Sequence, residues 1–194
     1  MREQRNISTQ SGFSFAEMIV VLALLAIIAA ITLAEYNSFS DSTVTSNLAS
    51  DIGLSIRLAQ SYGINVRRSG ATFNVSYGIH FDRTKQDTYF LYEDPDRAAD
   101  QFKYSPGDEI RTYTLSSGFR ITDVCAYPTG GLPKKCFSLN TIATFDIAFD
   151  RPDPDAHFVS NLAETYERAE ITIRSPRGIT KTIYVLPTGY ISVQ

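Results

Sequence analysis

From Met18 to Ala34 the chain is almost unbrokenly apolar, with Thr32 the only polar member and no glycine or proline. With Phe13 to Ala16 added, the stretch reaches about 20 residues, roughly 30 Å of helix, which matches a hydrocarbon core. Arg2 and Arg5 precede it, so a spanning helix would keep its N-terminus cytoplasmic and place everything after Ala34 outside. A plain anchor leaves Glu17 unexplained. A carboxylate inside the membrane costs about 2.5–3.5 kcal/mol at the helix centre, less near the interface, and such residues usually have a partner.

The segment Gly12-Phe13-Ser14-Phe15-Ala16-Glu17, after a short polar leader and before the apolar helix, resembles the class III signal of type IV pilins and type II secretion pseudopilins. The resemblance implies a prepilin peptidase that cuts between Gly12 and Phe13 and methylates the new Phe13 amine. It implies lateral assembly with other pilins or pseudopilins, and an inner-membrane assembly platform as a further partner. Glycine leaves the protease cleft free of a side chain. In a staggered stack the new amine can approach Glu17 of the next subunit, and such a pair offsets much of the cost of burial. Two rival readings explain less. A secretory signal peptide cut after Thr32-Leu33-Ala34 would be long for its kind, and both it and an unprocessed anchor leave Glu17 without a role.

Residues 35–64 carry Val44, Leu48, Ile52, Ile56 and Ala59 at spacings of four and three, with polar residues between them. This is a one-striped amphipathic helix made to lie on a sheet. Joined to the membrane half it would measure about 50 residues and ~75 Å. Asn37-Ser38-Phe39-Ser40-Asp41-Ser42 is a weak helical stretch by propensity, where a break or bend is expected.

From Asn65 the period becomes two. Runs from Phe73 to Phe81, Thr88 to Glu93, Ile110 to Leu115, Phe119 to Val124, Thr144 to Phe149, Ala169 to Arg174, Lys181 to Leu186 and Tyr190 to Val193 read as strands. Turn formers separate them, among them Ser105-Pro106-Gly107-Asp108, Ser116-Ser117-Gly118, Ser175-Pro176-Arg177-Gly178 and Pro187-Thr188-Gly189. The expected organisation is a leader (1–12), a membrane and assembly helix (13–34), an amphipathic helix (35–64) and a β-rich extracytoplasmic domain (65–194). The fold class is α+β, a long N-terminal helix on an antiparallel sheet, as in pilins. Three segments further resemble the H-type minor pseudopilins, the GspH/FimT group: Leu58-Ala59-Gln60-Ser61-Tyr62-Gly63, Tyr77-Gly78-Ile79-His80-Phe81 and Leu186-Pro187-Thr188-Gly189-Tyr190-Ile191.

Cys125 and Cys136 form an even pair beyond the membrane segment, where disulfides persist, and a tied loop is expected rather than two reduced thiols. Nothing nearby supplies the other ligands of a zinc site. The groups Asp94, Asp96, Asp100 and Asp150, Asp153, Asp155 match no EF-hand and read as solvated acidic turns in preference to calcium loops. Arg168, Arg174, Arg177 and Lys181 surround one predicted hairpin, with Lys134 and Lys135 on the cysteine loop. They raise an alternative, a minor pilin of a DNA-uptake system. The net charge of -3 weighs against it, as does a C-terminus poorer in arginine than DNA-binding members of the FimT type. His80 and His157 are the only histidines, and no Gly-x-Ser-x-Gly elbow or glycine-rich phosphate loop is present. The reading is therefore a structural subunit without a cofactor, not an enzyme.

Overall fold

The computed structural model describes residues 12–65, 75–95, 101–116 and 118–194, with the backbone alone for 34–39. One helix, α1 (Phe15–Ile64), is followed by β1 (Ser76–Asp82), β2 (Thr88–Asp94), β3 (Glu109–Thr114), β4 (Arg120–Pro128), β5 (Lys135–Cys136), β6 (Thr144–Phe149), β7 (Ala156–Ser160), β8 (Tyr166–Arg174), β9 (Thr180–Val185) and β10 (Ile191–Val193). The chain forms two compact units, Met1–Ser40 and Asp41–Gln194, and α1 contributes residues to both. The weak stretch 37–42 straddles that division and is helical along its length.

In the first unit the 19 residues Phe15–Leu33 have a mean hydropathy of 2.7, long and apolar enough to cross a membrane by length and composition. All of their side chains are exposed. At about 25 cal/mol per Å², apolar surface of this extent needs lipid or protein around it. Thr32 is compatible with such surroundings because its hydroxyl donates back to the carbonyls of Ile28 (3.1 Å) and Ala29 (3.0 Å).

The second unit packs the remainder of α1 against two antiparallel sheets, where the sequence had suggested one. The first has the order β3-β2-β1-β6-β7 and the second β10-β9-β8-β4-β5. The expected stripe faces the core: Ile52, Ile56 and Ala59 are fully buried, and Val44 and Leu48 partly so. Ile79, Phe81, Phe145 and Ile147 meet them from the first sheet, and Val124, Ile171, Ile183 and Val185 from the second.

Two polar contacts fix how the helix sits. Ser55 Oγ donates to the Asp51 carbonyl (2.9 Å), so its 3.0 Å contact with Tyr89 uses the phenol as donor. Burial pushes the Tyr89 phenol up to about 12. At the end of the helix Gly63 is buried so close to β6 that a Cβ there would lie 2.5 Å from the Phe149 carbonyl oxygen. Only glycine allows this approach.

The predicted turns form where their residues direct. Gly107, Gly118, Gly178 and Gly189 all take positive φ, and Asp108 N–H closes on the Ser105 carbonyl at 3.1 Å. The strand expected from Phe73 is described from Ser76; Phe73 itself lies outside the described residues. Two strands were absent from the sequence reading. β5 is two residues long and exists through its pairing with β4, and β7 is a short edge strand on β6.

Candidate functional site

Residues 12–14 precede the first turn of α1, so the Gly12–Phe13 bond lies outside the helix. The space that a Cβ of Gly12 would occupy has nothing within 4 Å, and Phe13 is 84% exposed. Among the described residues the bond therefore stands in exposed, non-helical backbone.

Ser14 is the N-cap. Its carbonyl accepts the first helical bond, from Met18 N–H at 3.1 Å, and the Glu17 carboxylate reaches back to the Ser14 amide at 3.4 Å. Ser14-x-x-Glu17 is thus one half of a capping box, and a negative charge in the first turn also complements the helix dipole. Glu17 accordingly has a partner within its own chain, the Ser14 amide. The spacing that signals it was legible.

The three pseudopilin-like segments meet in space. Gln60 Nε2 donates to the carbonyls of Pro154 (2.9 Å) and Gly189 (3.3 Å), and Arg57 Nη2 to that of Ile191 (3.2 Å). Tyr62 packs edge-on against Tyr77 of β1, with ring centroids 5.6 Å apart. The end of α1, the first strand and the segment into β10 therefore form one junction.

Cys125 and Cys136 are directly opposite in the β4–β5 ladder and are joined by a disulfide, with Cα atoms 4.1 Å apart. Among the described residues the one cluster with metal-ligand proximity is Asp123 with these two cysteines, and both sulfurs are consumed by the bridge. Asp123 instead holds the loop beyond Cys136, accepting from Ser138 N–H (3.0 Å) and Ser138 Oγ (2.6 Å).

Of the acidic groups, Asp96 and Asp100 lie outside the described residues. Asp94 accepts from Phe102 N–H at 3.0 Å, Asp150 bonds His157 Nε2 at 2.8 Å, and Asp153 and Asp155 are exposed. The other histidine is paired likewise. His80 Nδ1 meets Asp146 Oδ1 at 2.7 Å in the interior, and its ring stacks on Tyr104. Burial pushes the Asp146 carboxyl up, opposed by the bond and charge of His80. Neither pair was legible, because each depends on which strands become neighbours.

The four candidate cations do not converge. Arg168 lies over the Tyr127 ring (3.9 Å) and pairs with Glu170 at 3.2 Å. Arg177 pairs with Asp41 of α1 at 3.7 Å. Arg174 stands opposite Arg120 at the other end of β8, six residues or ~20 Å from Arg168. Lys181 is in register with the buried Ile173, whose side of the sheet is the opposite one from Arg174.

No curated protein and no solved structure matches this chain. Residues 7–33 match the family model described as the prokaryotic N-terminal methylation motif. That match covers the signal and the apolar helix and supports a membrane-anchored, type IV pilin-like subunit of prepilin type, a structural component in which Gly12, Phe13 and Glu17 occupy the motif.

Proposed function

We propose that the chain is a minor pseudopilin-type subunit of the GspH/FimT kind. A prepilin peptidase cuts it between Gly12 and Phe13 and methylates the Phe13 amine, and the product enters a type II secretion pseudopilus or a type IV pilus. The observation that carries this reading is the methylation motif over residues 7–33. The open, non-helical Gly12–Phe13 bond and the wholly exposed apolar helix that follows support it.

Before assembly the subunit sits in the inner membrane with its N-terminus cytoplasmic and its β domain outside, the orientation favoured by Arg2 and Arg5. Cleavage releases a cationic amine four residues before Glu17. In a stack of helices that amine meets the carboxylate of a neighbour, and Glu17 exchanges its Ser14 contact for a charged partner in low dielectric. Its role is to set register rather than to catalyse. The junction formed by Gln60, Gly189, Tyr62 and Tyr77 supports the H-type subgroup, since the three segments carrying that likeness act together in the domain.

The DNA-uptake alternative draws less support. Phosphates would have to displace Glu170 from Arg168 and Asp41 from Arg177. Co-expression with an active prepilin peptidase, followed by mass spectrometry of the N-terminus, tests the main reading. A methylated terminus at Phe13 is expected, and an intact leader overturns it.

A further inference from the structure

Two five-stranded sheets have four edges, and β3 differs from the other three. β5 and β10 are two and three residues long, and Arg57 already donates to the Ile191 carbonyl of β10. On β7 the Ala156 N–H donates to the Pro187 carbonyl at 2.6 Å. β3 runs for six residues, all exposed except the half-buried Tyr113.

The register with β2 tells which backbone groups of β3 are spent. Leu115 N–H donates to the Asp87 carbonyl (2.8 Å), and Tyr113 and Arg111 stand in register with Tyr89 and Leu91. Antiparallel bonding alternates, so the N–H and C=O of Thr112 and Thr114 point away from β2. Among the described residues no turn or side chain takes them up. Arg111, Tyr113 and Leu115 share the opposite side of the strand from these threonines. Tyr113 stacks on Tyr89 with centroids 4.8 Å apart, and Arg111 lies over the Tyr113 ring at 4.9 Å. Among the described residues Arg111 forms no ion pair. Between β3 and α1 a groove of about 420 Å³, lined by Leu48, Leu54, Leu58 and Tyr113, leaves room for the side chains of an added strand. Leu54 is 57% exposed there.

We propose that β3 pairs antiparallel with β3 of a second copy, about a two-fold axis through Thr112. Opposed residues must be of the same bonding kind, so the axis falls on a residue and not between two. An axis through Arg111 would oppose like charges. One through Tyr113 would set each Arg111 against the buried Leu115 of the other copy. Through Thr112, each Arg111 meets the partner's Tyr113, a cation beside an aromatic ring at both ends, and Thr112 meets Thr112, a favourable sheet pair. The contact is isologous, the commonest symmetry of soluble oligomers, and makes one ten-stranded sheet of two. It joins β domains and needs no cleavage at Gly12.

Cysteine cross-linking of the full chain in membrane vesicles tests the register. Both native cysteines are in the disulfide, so an introduced one is the single free thiol. Across the axis two Thr112 Cα atoms would be about 5.5 Å apart, within disulfide reach, whereas two Thr114 residues are offset by ~13 Å. On oxidation Thr112→Cys should give at least about tenfold more cross-linked dimer than Thr114→Cys. Thr112→Pro removes an outward N–H that β2 does not use, and should shift sedimentation in nonionic detergent from dimer to monomer. If that variant fails to fold, Arg111→Ala replaces it and should weaken dimerisation about fivefold or more. A monomeric wild type, equal or absent cross-linking at the two positions, a cross-link from position 112 to any other polypeptide, or an unchanged dimer in the folded variant overturns the proposal.

Discussion

Gly63→Ala sets two effects of opposite sign against each other at the end of α1. In an unconstrained helix interior the substitution stabilises by about 0.5–1 kcal/mol, because glycine loses more backbone freedom on folding. At position 63 the new Cβ would lie 2.5 Å from the Phe149 carbonyl oxygen, 2.7 Å from its carbon and 2.9 Å from its Cβ. Two of these atoms are backbone in β6, and Phe149 is paired with Tyr77 on one side and Ala156 on the other, so nothing can rotate aside. Overpacking of this kind costs about 1–3 kcal/mol, and against fixed backbone the middle of that range, less the propensity gain, gives an expected net loss of about 1 kcal/mol. Gly53 is the internal control. A Cβ there would meet Val193 Cγ2 at 3.5 Å and Ile191 Cγ2 at 3.8 Å, ordinary contacts, so Gly53→Ala should raise stability by up to about 1 kcal/mol. Urea unfolding of the full chain in nonionic detergent, followed by the near-ultraviolet dichroism of its tyrosines, reads both variants. A Gly63→Ala protein as stable as wild type at an unchanged denaturant slope would refute the close docking of the helix end on β6.

Three further outcomes are expected. Glu17→Ala should be cleaved normally but incorporate poorly into fibres, scored by shearing and immunoblot; wild-type incorporation would remove its role in register. Replacing Cys125 and Cys136 with serine, whose bridge spans a sequence separation of 11, should cost about 2–3 kcal/mol by loop entropy and abolish the sensitivity of unfolding to reductant. The Tyr89 phenol, raised to about 12 in the folded chain, contributes stability that is complete below pH 10 and is lost as pH rises from 10 through 12. Tyr89→Phe should therefore flatten the alkaline limb of a stability–pH profile, and an unchanged limb would show that the phenol is not held in that environment.

Much of the architecture was legible in periodicity. Val44, Leu48, Ile52, Ile56 and Ala59 could lie on one side only of a helix, and that side is buried. Alternation located most strands, yet it says nothing about which strand pairs with which. The division into two sheets was therefore hidden, and so were the pairs His80–Asp146 and His157–Asp150, which depend on register across strands. β5 escaped notice because Lys135-Cys136 is too short to show a period, and its pairing follows the bridge between Cys125 and Cys136. The basic residues of the β8–β9 hairpin looked like a patch because they are close in sequence. Strand alternation and local acids then sent Arg168, Arg174, Arg177 and Lys181 to different surroundings. Glu17 is the opposite case, since its contact with Ser14 follows from a three-residue spacing.

The bonds from Arg57 and Gln60 to Ile191 and Gly189 also impose an order of events. In synthesis α1 emerges before β10, so Arg57 and Gln60 wait through β1 to β9 before the segment that accepts their hydrogen bonds is made. Until then Gly53 faces neither Ile191 nor Val193, and the sheet that ends in β10 lacks its edge. A nascent chain halted before Gly189 thus leaves this side of the helix and the outer edge of β9 uncovered.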